Sequence, residues 1–222
     1  MCAISQPATT TFEPSDPCPA DYPLDADPTQ LPPAVAALVG DLDDLAGPSI
    51  PVADRNRVRE IARRARHAVV HISHDLGMGT GSFISPDGYL VTNAHVVSSS
   101  QSVQVVTFDG QIFEGTVVAT VEALDPDLAL VKVDGNDLPF LPLAQELVVG
   151  STIVYVGHPQ GVYWVAAAGT LTALNNMGSW SEVVLAIPTE GGTSGSAILN
   201  CSGEMVAINY GGSTYIPDPE AL

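Results

Sequence analysis

A histidine, an aspartate and a serine stand in that order in three short segments whose composition suits acyl-transfer chemistry. Residues 88–97 read GYLVTNAHVV, with His95 just beyond an apolar run. Residues 125–133 read DPDLALVKV, with Asp127 opening a second apolar run. Residues 190–198 read EGGTSGSAI, with Ser194 inside a glycine-rich turn. A neutral serine hydroxyl is a poor nucleophile. It needs a base within hydrogen-bond reach, and that base needs a third group to hold its tautomer. His95 is the candidate base, Asp127 the orienting acid and Ser194 the nucleophile. Asp125 is a rival acid, since residues two apart on a strand point the same way. Asp127 is preferred because it directly abuts the run LALV, which fixes its backbone in a sheet.

The glycines around Ser194 let the backbone turn tightly and aim successive N–H groups into one small space. Gly192 and Ser194 are the expected donors to a developing oxyanion, each donor being worth about 3–4 kcal/mol. Each segment alone has a plain alternative: a satisfied core histidine, a turn aspartate before a strand, a glycine-rich hairpin. The joint pattern favours chemistry. The remaining histidines His71, His74 and His158 have no partner motif and read as structural. Glu190 reads as a solvated turn residue, and Trp164 and Trp180 as core or pocket lining.

The elements that must hold these residues are short. From His67 onward, apolar runs alternate with Gly, Asp-Gly and Pro turns. Candidate strands are 68–73, 80–85, 89–92, 102–107, 111–119, 128–133, 151–156, 163–173, 183–187, 196–199 and 205–209. Turn chemistry lies at Pro86-Asp87-Gly88 and at Asp109-Gly110. Many short strands at regular spacing predict an all-β sandwich or barrels. A break near Asp134–Glu146 divides the β region into two halves, about 67–140 and 147–222, as two packed barrels require. Before it, Asp54–Arg66 has Val58, Ile61 and Ala62 on one helical face, so 52–66 reads as an Arg-rich helix with Asp54 as N-cap. Residues 1–51 hold ten of the 18 prolines and read as a largely extended or disordered acidic arm, with a short apolar helix over 34–45.

A chain of 222 residues can bury a sizeable core. Its 25 acidic against 7 basic residues, net −18, argue against nucleic acid and against an anionic membrane surface. Six of the seven basic residues lie between Arg55 and Arg66. They read as one solvated helix face, with a docking or processing segment as the alternative. No apolar run is long enough to span a membrane, and residues 1–30 lack the basic start and apolar stretch of a leader. Cys2, Cys18 and Cys201 give no disulfide framework; a Cys18–Cys201 bridge and free thiols both stay open. No Cys/His spacing suits zinc, and the chemistry read here needs no metal or cofactor.

Residues 79–97 (GTGSFISPDGYLVTNAHVV), 109–118 (DGQIFEGTVV), 127–133 (DLALVKV) and 156–161 (VGHPQG) resemble HtrA-type bacterial serine proteases. Residues 189–200 (TEGGTSGSAILN) and 208–212 (INYGG) are more similar to glutamyl endopeptidases. Both belong to the chymotrypsin-fold, trypsin-like peptidases, and the resemblance covers about 67–212. It implies two packed six-stranded antiparallel β-barrels and a serine endopeptidase acting on proteins or peptides. His95, Asp127 and Ser194 would form the triad, with Gly192 and Ser194 as the oxyanion hole. It also implies a substrate pocket walled by Pro188, Thr189, Asn209, Tyr210 and Gly211. Thr189 matches a threonine that helps the glutamyl enzymes bind glutamate, but Asn209 stands where they carry a histidine. A small or medium uncharged residue before the cut is therefore expected, with Glu or Gln as the rival. The stretch after Gly212 is too short for the strand and helix that usually close the second barrel, so that barrel reads as incomplete or differently closed. HtrA resemblance further implies a homotrimer, and family analogy an extracytoplasmic location. A catalytically silent binding or chaperone module is the alternative from another class.

Overall fold

A computed structural model describes residues 52–121, 126–178, 180–187, 189 and 191–211. Helix α1 (Val52–Ala65) precedes strands β1 (Val69–His74), β2 (Gly77–Phe83) and β3 (Tyr89–Thr92). A one-turn helix α2 (Ala94–Val97) leads to β4 (Ser102–Val106), β5 (Ile112–Val121) and β6 (Leu128–Val133). The second half holds β7 (Thr152–Gly157), a 3-10 turn (Pro159–Gly161), β8 (Val165–Asn176), β9 (Ser181–Ala186), β10 (Ala197–Leu199) and β11 (Met205–Ile208).

Strands β1 to β6 close into a barrel in the order β1-β2-β3-β6-β5-β4, every pair antiparallel. The period-2 pattern of β6 shows how sequence builds it. Ala129, Val131 and Val133 point into the barrel with Val70, Ile72, Phe83, Leu90, Val103 and Val105, while Leu128 and Leu130 face the other half. The second half is an antiparallel sheet of order β11-β10-β7-β8-β9, with five strands among the described residues where six were expected.

The two halves meet over a shared core. Val69, Val91 and Phe108 of the barrel pack with Val154, Val156, Trp164, Ala197 and Leu199 of the sheet. Trp164 is 2% exposed, and its indole N–H donates to the Val69 carbonyl across the junction at 3.0 Å. Helix α1 joins the same core. Its Val58, Ile61 and Ala62 are buried there, as the helical spacing predicted, and so is Ala65. The helix is therefore packed into the β body rather than set apart from it. It already begins at Val52, so Asp54 falls inside the first turn and not at the cap. The Arg-rich face also has structural uses. Arg66 lies over the Phe108 ring at 4.2 Å, Arg57 donates to the Cys201 carbonyl at 3.1 Å, and Arg64 pairs with Glu60.

Cys201 Sγ lies 3.8 Å from the Thr152 carbonyl, and Cys18 lies outside the described residues. The arm 1–51, with the helix expected over 34–45, also lies outside them.

Candidate active site

His95 sits on α2, directly after β3. The flanking Val96 and Val97 are buried and anchor that single turn. Gly79 makes room for it: a Cβ at 79 would stand 2.6 Å from a Val96 methyl. His74 of β1 adds a polar tie to the Val96 carbonyl at 2.9 Å. Leu76 N–H donates to His74 Nδ1 at 3.3 Å, so the His74 proton lies on Nε2 and donates to that carbonyl.

Asp127 directly precedes β6, the neighbour of β3, and this pairing brings it beside His95. The Asp127 carboxylate is engaged twice. One oxygen accepts the His95 main-chain N–H at 2.9 Å, and the other is hydrogen-bonded to His95 Nδ1. Asn93 steadies the backbone by donating to the Asp127 carbonyl at 2.8 Å. A carboxylate at Nδ1 fixes the proton there and leaves the Nε2 lone pair to receive another. The imidazole is half exposed, so a substrate can reach it. Asp125, the rival acid, lies outside the described residues.

Ser194 is carried by the loop before β10. Two glycines there adopt left-handed backbone, Gly192 at φ +93° and Gly195 at φ +84°. Both are also pressed against backbone. A Cβ at 192 would lie 2.3 Å from the His158 carbonyl, and one at 195 would lie 1.8 Å from the Thr80 carbonyl. Thr80 of β2 donates its N–H to the Ser194 carbonyl at 2.8 Å. The Ser194 carbonyl is also 3.2 Å from the Cβ position of Gly79, so α2 and the serine loop share one neighbour on β2. Among the described residues, the N–H groups of Gly192 and Ser194 donate to no backbone carbonyl. The His95 ring is bonded to Asp127 and makes no hydrogen bond to the Ser194 hydroxyl among the described residues. Such contacts commonly tighten only when substrate binds.

The expected pocket residues divide. Thr189 is half-buried, and Gly211 is exposed with open space where a side chain would begin. Tyr210 is exposed. Its hydroxyl donates to Glu182 and its ring meets Trp180 edge-on. Hydrogen bonds from Asn175 and Tyr210 hold the Glu182 carboxyl below its usual range, and the same bond raises the Tyr210 phenol. Asn209 is only 6% exposed, and its amide donates to the Thr193 carbonyl and hydroxyl at 3.0 and 3.1 Å. Its side chain therefore braces the serine loop. Pro188 lies outside the described residues.

Thr80 and Asn93 were not singled out in the sequence, Asn209 was read there as a pocket wall, and His74 and His158 were read as structural. Thr80 carries no motif of its own, and its partners Gly192 and His158 lie 112 and 78 residues away in the chain. The only signal was its place inside the GTGSF segment.

The model of the trypsin-like peptidase domain matches residues 79–208, more than half of the chain. The chain belongs to the trypsin-like peptidase family. Within that family it is 34% identical over 140 residues to the protein named "Probable periplasmic serine endoprotease DegP-like" from Chlamydia pneumoniae, covering 59% of this chain and 28% of that one. A protein of the same name from Pseudomonas fluorescens is likewise 34% identical over 140 residues, covering 60% and 29%. The chain thus spans less than a third of the length of these curated relatives. Among solved structures of trypsin-like peptidases, a variant of the HtrA-type protease AlgW with a tripeptide superposes with a TM-score of 0.62 at 25% identity, covering 68% of this chain and 53% of that one. A serine endoprotease from Yersinia pestis gives 0.61 at 27%, covering 73% and 58%. No helix among the described residues is long and apolar enough to cross a membrane.

Proposed function

We propose that this trypsin-like peptidase is a serine endopeptidase that cleaves protein chains through an acyl-enzyme. The observation that carries the reading is the double engagement of His95 by Asp127, beside a loop that offers Ser194 and two N–H groups not bonded to backbone among the described residues. Ser194 Oγ attacks the scissile carbonyl and His95 Nε2 takes its proton. Asp127 holds the tautomer and steadies the imidazolium. The N–H groups of Gly192 and Ser194 receive the oxyanion. His95 then returns the proton to the leaving amine, and water repeats the sequence on the ester.

An uncharged residue before the cut fits the surroundings best. The Glu182 carboxylate at the rim beside Tyr210 disfavours an acidic substrate side chain, and the net charge of −18 works the same way at longer range. Thr189, Tyr210 and Gly211, with Pro188, are read as the pocket. The periplasmic names of the relatives are the ground for an extracytoplasmic location, and likeness to HtrA-type proteases for a homotrimer.

The test is digestion of an unfolded protein by the full chain, with Ser194→Ala alongside, and the new termini read by mass spectrometry. Ser194-dependent cuts after small or medium uncharged residues are expected. Cuts mainly after Glu would overturn the pocket assignment. No Ser194-dependent cut would favour the silent binding module.

A further inference from the structure

The catalytic reading needs two N–H groups held in place, those of Gly192 and Ser194. They belong to the peptide units 191–192 and 193–194, and the unit 192–193 lies between them. In a planar trans peptide the C=O and N–H point in opposite directions, so capturing a carbonyl aims the N–H away from its captor. All three carbonyls are captured. The Gly191 carbonyl accepts Gln160 N–H at 2.6 Å. The Thr193 carbonyl accepts Ser196 N–H at 3.1 Å and the Asn209 amide at 3.0 Å. The central carbonyl, of Gly192, accepts the Thr80 hydroxyl at 2.9 Å.

The Thr80 hydroxyl also lies 3.0 Å from His158 Nδ1. A carbonyl can only accept, so the single hydroxyl hydrogen of Thr80 goes to Gly192. His158 Nδ1 must then carry the proton and donate to Thr80. The other ring nitrogen agrees: Nε2 is buried without a hydrogen-bond partner among the described residues, so a proton there would be a stranded donor. Both residues are fully buried, at 0% exposure. The His158 ring is held edge-on by Trp164, Tyr163 and His71. Burial, with His71 alongside, pushes its pKa well below the usual imidazole range, so it is neutral and carries one proton. The turn it begins is strained. Gln160 has φ +49°, left-handed for a residue with a side chain, and its N–H makes the short bond to Gly191.

We infer that Thr80 and His158 are a positioning pair for the oxyanion loop: His158 Nδ1–H orients the Thr80 hydroxyl, which holds the Gly192–Thr193 peptide and so fixes the donors on either side. The inference rests on the reading of Gly192 and Ser194 as oxyanion donors. Neither residue touches the substrate; both act through the loop.

Three measurements test it. In kinetics on a peptide amide, Thr80→Val and His158→Phe lower kcat on the order of a hundredfold, the usual cost of slight misplacement, and leave KM near its original value. Affinity for a peptide boronate, which mimics the tetrahedral state, falls in parallel, and Thr80→Ser recovers kcat because it keeps the hydroxyl. Nitrogen-15 NMR of the imidazoles finds His158 in the neutral Nδ1–H form, and this readout needs no activity and no variant. An active wild type with folded Thr80→Val and His158→Phe variants within twofold in kcat would overturn the inference alone, as would an Nε2–H tautomer. A wild type without any Ser194-dependent reaction would overturn the catalytic reading, and this inference with it.

Discussion

Asp127 reaches His95 through both the main-chain N–H and the ring, so it fixes where the histidine stands as well as which nitrogen carries the proton. Asn replaces one carboxylate oxygen by an NH2 group that can face Nδ1 only if Nδ1 accepts. The proton then moves to Nε2, where the base must be free. Asp127→Asn is therefore expected to lower kcat by about 10⁴ with little change in melting temperature. A loss below tenfold in steady-state kinetics would show that Asp127 does not set the tautomer. Residues of this kind were legible in the sequence because chemistry restricts their types: His95 stood just after one apolar run, Asp127 just before another and Ser194 in a glycine-rich turn. Thr80 was not, because any strand holds such a residue and only the folded loop reveals what it touches. Asn209 was read as a pocket wall, and its amide closes on Thr193.

At the scale of elements, α1 is as much a part of the core as the strands. Ile61 is 3% exposed and lies among residues of both halves. Ile61→Ala should cost about 2–5 kcal/mol, read as a lower urea midpoint at unchanged slope. A cost well under 1 kcal/mol would mean that the helix is not part of the cooperative unit. The alternation of short apolar runs and turns placed every described strand, because half-buried strands impose period 2. The ends of strands were harder. β2 begins at Gly77, earlier than its apolar content suggested, because Gly79 pairs with Ile72 of β1 and clears the space that Val96 fills. β8 runs on to Asn176 because pairing with β9 carries its polar end, as between Asn175 and Glu182. Such extensions are set by a partner strand and leave no mark in the segment itself.

The whole molecule is joined by a core that also buries two histidines. His71 and His158 pack edge-on with Tyr163, and His158 faces Thr80 and Trp164 as well. Burial lowers both imidazole pKa values below the ordinary 6.5, that of His158 further because it is more deeply buried and has His71 alongside. Below 6.5 the unfolded chain therefore binds protons that the folded chain refuses. Stability is full above 6.5 and falls as pH drops beneath it, until the folded histidines also titrate. Urea midpoints should decline from pH 7 to pH 5, and His158→Phe should flatten that decline; an unchanged slope in the variant would contradict it. The central claim, that this fold activates Ser194, is tested most directly by fluorophosphonate labelling of the full chain, with the adduct located by mass spectrometry. The account predicts one adduct, on Ser194, absent from Ser194→Ala and strongly slowed in His95→Ala. A folded chain that takes no label, or takes it equally after Ser194→Ala, would contradict it.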